Sequence, residues 1–125
     1  MYLDPDHARA LLPSVDPGRL LSGRPVGLRD GALLALVVTG CAGAEIARLR
    51  ATAINMESGH LVVRVTRGDI HLALTVPLPV RARLLVWLTE RRLWSTDQPV
   101  FSGPRGPLSR HAIYKILERY ARRKP

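Results

Sequence analysis

Residues 60 to 76 constrain the fold most, because there the chain changes its period. His60 to Thr66 alternates, placing Leu61, Val63 and Val65 on one face and Val62, Arg64 and Thr66 on the other. Ile70 to Val76 alternates again, with Ile70, Leu72, Leu74 and Val76 inward and His71, Ala73 and Thr75 outward. Arg67, Gly68 and Asp69 join the two runs, and a period of two on both sides of a Gly-containing break predicts a β-hairpin. Asn55 to Gly59 reads as a turn before it, and Ala51 to Met56 supplies a short third strand. A sheet this small has one apolar face to bury, so helices must cover it.

The flanking segments supply those helices. Asp4 before Pro5 predicts a helix start, since the carboxylate accepts from free first-turn amides and proline needs no donor there. Ala8, Leu11 and Leu12 form its apolar face. Ser14 to Gly27 holds two prolines and three glycines and reads as a loop with a short turn at Arg19 to Leu21. From about Leu28 to Val38 a second helix is apolar nearly all round, through Leu33, Leu34, Leu36, Val37 and Val38, which marks it as central. Thr39, Gly40 and Gly43 interrupt it, and a short helix follows around Ala44 to Leu49. After Pro77 and Pro79, Val80, Leu84, Trp87, Leu88 and Arg91 share one face of a helix ending near Leu93. Pro99 to Pro107 is a Gly- and Pro-rich connection. Ser109 caps the last helix, which turns Ala112, Ile113, Ile116, Leu117 and Tyr120 inward, with the Tyr120 hydroxyl at the edge, and leaves Arg110, Tyr114, Lys115, Arg119 and Arg122 outside. The expected fold is one α+β domain, mostly helical with a small three-stranded antiparallel sheet: helices over 1–50, the hairpin region over 51–78 and a basic helical part over 79–125.

Charge is distributed unevenly over the 125 residues. Nineteen Lys and Arg against ten acids give +9, yet residues 1–62 hold six Arg and six acids while residues 63–125 hold thirteen cations and four acids. The whole excess lies in the second half, and a polyanionic partner is its natural reading. Seventeen of the nineteen cations are Arg, which also fits GC-rich coding, but coding bias alone does not leave the first half neutral. No apolar run reaches the length of about eighteen residues that a membrane helix needs, so neither a membrane nor a secretion signal is expected. The lone Cys41, in an apolar and small-residue setting, reads as a buried thiol and points to the cytoplasm.

Other chemistry finds little support. His7, His60, His71 and His111 are scattered through different elements with no second cysteine, so no metal or other cofactor is expected. Thr39 to Gly43 lacks the lysine and the preceding strand of a phosphate-binding P-loop. Nothing near Cys41 provides the base and anion-stabilising groups of a thiol nucleophile.

Read in order, the local motifs resemble the catalytic domain of tyrosine recombinases, the phage integrase family, and specifically its first part. Arg29-Asp30-Gly31-Ala32-Leu33-Leu34 is similar to the family's opening helix, followed by Thr39-Gly40 and Glu45-Ile46-Ala47-Arg48-Leu49. The hairpin ending in Thr75-Val76-Pro77-Leu78, the connection Val100-Phe101-Ser102, and Pro107-Leu108-Ser109-Arg110 opening a basic helix occur in the family's order and near its spacing. The likeness runs from Tyr2-Leu3 to Arg123.

The departures bear on activity. Where the family places an arginine that grips the scissile phosphate, this chain has Ala42, and a methyl group cannot donate to a phosphorane-like transition state. Where the hairpin turn carries a general-acid lysine, the match is Arg67, whose pKa is too high for efficient proton donation. The family's His-x-x-Arg motif, later His or Trp, and nucleophilic tyrosine all follow the basic helix, beyond Pro125; Tyr2, Tyr114 and Tyr120 are not in that context. The expectation is a DNA-binding, integrase-like protein associated with recombination and integration that does not cleave DNA on its own. The resemblance implies that Arg110, Lys115, Arg119 and Arg122 on the last helix face DNA, with Arg67 near the backbone and Arg105 reaching from the Pro- and Gly-rich loop. Two competing readings stay open: one part of a split recombinase completed by a complementing chain, and a remnant of a mobile element that pairs with an intact recombinase.

Overall fold

A computed structural model describes residues 3–124; Tyr2 lies outside the described residues. Helix α1 (Pro5–Leu11) begins where Asp4 accepts from the His7 amide at 2.9 Å, as the Asp-Pro pair implied. A 3₁₀ turn (Leu12–Ser14) and a loop lead to α2 (Val26–Thr39). That helix starts two residues earlier than the apolar pattern suggested, because Val26 and Gly27 already enter the buried interior. Leu33, Leu34, Leu36 and Val37 are fully buried, so α2 is the central helix, packed by α1 and by α4. It stops at Gly40, whose φ of 109° is left-handed and suits glycine.

Helix α3 (Gly43–Arg48) and a 3₁₀ turn (Ala51–Ala53) precede the sheet. Strands β1 (Ile54–Glu57), β2 (His60–Arg67) and β3 (Ile70–Thr75) form one antiparallel sheet in the order β1-β2-β3. The expected three-stranded sheet is therefore present, with four local corrections, the first being that Ala51–Ala53, read as part of the strand, form the 3₁₀ turn and β1 starts at Ile54. Asn55 to Glu57 belong to β1 and pair with β2, leaving only Ser58 and Gly59 as the turn. Val62, read as outward, is buried, since the first half of the central strand is covered on both faces. Ile70, read as inward, is 63% exposed. It pairs with Arg67 across the Gly68-Asp69 turn, and there the hairpin has run past the core: Leu61 and Val63 are fully buried, Val65 is nearly so, and Arg67 is exposed.

Helix α4 (Leu78–Glu90) buries Val80, Leu84, Trp87 and Leu88; Arg91 follows its end and lays its guanidinium over the Trp87 ring at 5.5 Å instead of joining the buried face. The Pro- and Gly-rich connection contains a small hairpin, β4 (Ser102–Gly103) with β5 (Gly106–Pro107). Phe101 ahead of it stacks on Trp87 at 5.6 Å. Helix α5 (Arg110–Ala121) is capped by Ser109, which accepts from the Ala112 amide, and buries Ile113, Ile116, Leu117 and Tyr120 against the rest of the fold. His7 Nε2 donates to the Arg123 carbonyl and ties α1 to the end of α5. No helix among the described residues is long and apolar enough to cross a membrane.

Candidate nucleic-acid interface

The turn of the β2–β3 hairpin folds back onto the junction between α2 and α3. Arg67 donates from Nε and Nη2 to the two carboxylate oxygens of Glu45, at 2.9 Å each, and from Nη2 to the Gly40 carbonyl at 3.0 Å. A planar guanidinium matches a carboxylate in this two-point way, and the carbonyl end of α2 favours a cation beside it. The Ala42 amide donates to the same carboxylate at 2.8 Å. The two positions that the resemblance marks as catalytic, Ala42 and Arg67, are thus brought together across 25 residues of chain through one acid, Glu45.

That acid is almost fully buried. The hydrogen bonds from Arg67 hold its carboxyl below the ordinary glutamate range, overcoming the opposing effect of burial. Cys41, also buried, has its thiol pushed up to about 12, by desolvation first and by the Glu45 charge second. It stays protonated near neutrality, which removes the thiolate that nucleophilic chemistry requires.

Helix α5 meets this junction through Tyr114. The Tyr114 ring covers Gly43 so closely that a β-carbon there would lie 2.8 Å from Cε1. Arg110 is one turn before Tyr114 and Lys115 directly follows it, both exposed, so they continue the surface away from α3. Arg119 and Arg122 lie farther along: Arg122 pairs with Glu118 at 2.6 Å, while Arg119 faces Arg19, Arg29 and Arg123 at the far flank. At 3.6 residues per turn these four cations span about half the circumference of α5, so no single straight line of phosphates meets all of them. Arg105 sits at the tip of the β4–β5 hairpin, and no hydrogen bond or ion pair among the described residues joins it to the others.

Three further arginines, absent from the sequence expectations, border an open cleft of about 690 Å³ between α3 and β2: Arg48, Arg50 and Arg64. Arg50 donates to the Asp97 carbonyl at 2.9 Å, and Arg64 pairs with the exposed Glu57. An exposed pair of this kind contributes little and yields readily to a stronger anion. Arg64 was visible in the sequence only as an outward position of the strand and Arg48 only as part of the motif from Glu45 to Leu49, and neither was marked as a contact. Tyr120 also departs from expectation. Its hydroxyl is not at an edge but donates to the buried Asp30 at 2.6 Å, while Arg29 donates to the other oxygen of Asp30 at 2.9 Å.

No family model matches the sequence, and no curated protein does. Among solved structures, the XerH site-specific recombinase bound to its difH substrate in a pre-cleavage complex is similar over 99% of this chain, with a TM-score of 0.68 and 24% identity. The fold is therefore similar to part of that site-specific recombinase, in line with the fold that the motifs implied. The chain spans 38% of that recombinase.

Proposed function

We propose that this chain binds duplex DNA as a recombinase-like protein of DNA recombination, and that it does not cleave strands by itself. The observation that carries the reading is the set of cations on either side of the α3 junction, Arg48 and Arg64 bordering the cleft and Arg110 and Lys115 exposed on α5 beside Tyr114, on a fold similar to that of a recombinase bound to its difH substrate. Guanidinium and ammonium groups there meet phosphate oxygens, and the exposed edge of Tyr114 lies against sugar. Such contacts give affinity and orientation but little sequence information.

The absence of cleavage rests on the junction's chemistry. Ala42 offers only a backbone amide, already donated to Glu45. Arg67 is committed to the same carboxylate and makes a poor proton donor. Tyr114 is packed on Gly43, and the Tyr120 hydroxyl is tied to Asp30 with its pKa raised to about 12, chiefly by burial.

Fluorescence anisotropy with a labelled duplex tests the binding, and gel separation of the same mixture tests the cleavage. Arg48→Glu and Arg110→Glu each weaken binding about tenfold, and no nicked strand accumulates with any form of the chain. Undiminished binding by both variants, or a nick that depends on the protein, contradicts the proposal.

A further inference from the structure

A second cleft lies beside the start of α2. Its volume is about 440 Å³, and it opens between the residues leading into α2, the end of α4 and the β4–β5 hairpin. Arg24 and Arg29, from the entry and first turns of α2, and Arg91, from the end of α4, all border it, and none of its described lining residues is acidic. Arg29 is anchored by Asp30 from behind. Arg91 lies over Trp87, and Trp87 is fixed in turn by its Nε1 donating to the Val100 carbonyl at 2.8 Å and by Phe101 on the ring. The remaining walls include Val26 and Leu108. Asp30 compensates only one of these three cations, so an anion entering the cleft gains from the others, and Arg29, held by Asp30, and Arg91, supported by Trp87, need not rearrange to meet it.

We propose that this cleft binds a nucleoside phosphate, either free or as the unpaired end of a strand. The phosphate is held by Arg24 and Arg29. The flat ring lies between the apolar walls and the Arg91 plane, and the volume falls within the range of about 300–1,000 Å³ usual for small-ligand sites. A bare phosphate leaves the apolar walls unused, and an uncharged nucleoside leaves the cations unpaired; the two halves of the cleft together select a ligand that has both. None of the cleft's lining residues is among the cations assigned above to duplex binding, so the proposal stands or falls on its own.

Isothermal calorimetry of the whole chain with AMP, adenosine, inorganic phosphate, a 5′-phosphorylated trinucleotide and a Glu-Leu-rich peptide tests it. AMP or the trinucleotide binds saturably, adenosine and phosphate each bind at least about tenfold more weakly, and Arg24→Glu or Arg91→Glu reduces the affinity about tenfold. Arg24 is an exposed loop residue, so its variant keeps the wild-type melting temperature and reports on binding alone. A response to AMP identifies a free nucleotide as sufficient, and a response to the trinucleotide only identifies a strand end; either upholds the proposal. No saturable binding of either nucleotide, binding indifferent to both cleft variants, or preference for the acidic peptide overturns the proposal, whatever becomes of duplex binding.

Discussion

Asp30 and Glu45 are buried acids, and each is held by a side chain from a distant part of the sequence. Asp30 receives the Tyr120 hydroxyl ninety residues later. Removing that donor in Tyr120→Phe leaves a buried carboxylate oxygen short of a partner and lowers stability by about 1–3 kcal/mol, read as a lower urea midpoint with an unchanged slope; an unaltered midpoint contradicts the assignment. Glu45 gives a pH signature. Its carboxyl titrates below the ordinary range in the folded chain, so the unfolded chain takes up protons first as the solution is acidified. The stabilisation is complete above the unfolded glutamate pKa of about 4.3 and is lost as pH falls through the folded value. Glu45→Gln therefore lowers stability at neutral pH and flattens its decline in acid, and urea titrations at several pH values check both. A variant whose acid limb keeps the wild-type steepness contradicts the pairing.

At the scale of elements, the sequence made some features plain and hid others for identifiable reasons. The Asp4 cap, the alternating hairpin and the amphipathic α5 each carry a local signal that tertiary packing did not override. The start of α2 was hidden because Val26 and Gly27 are ordinary residues whose burial depends on the loop that packs around them. Ile70 shows the limit of alternation, which reports which residues share a face but not how far along a strand the core extends. The α3–α5 seam was invisible, since a glycine on one helix and a tyrosine outside another give no hint that they touch. That seam makes a prediction: Gly43→Ala forces the Tyr114 ring aside and costs about 1–2 kcal/mol, because a half-exposed ring can swing outward. Combined with Tyr114→Ala, the same substitution costs less than the sum of the two single changes. Strict additivity in thermal or urea unfolding removes the contact from the account of α5.

For the whole molecule, the half-chain charge count locates the excess of cations along the sequence, but only folding shows which of them share a surface. Arg48 and Arg50, from the neutral first half, border the same cleft as Arg64. Arg67, the cation that the resemblance brought nearest to the chemistry, is held by Glu45. Arg119 sits with another group of arginines. The candidate site was thus legible as a kind of chemistry and only partly as a set of residues, because charge is additive along a sequence whereas ion pairing depends on the fold. Duplex affinity measured by anisotropy across a series of potassium chloride concentrations tests the central claim most directly. With roughly four to six phosphates neutralised, the logarithm of affinity falls linearly against the logarithm of salt with a slope of about −3.5 to −5.5. No binding at the lowest salt, or an affinity that does not change along the series, contradicts it.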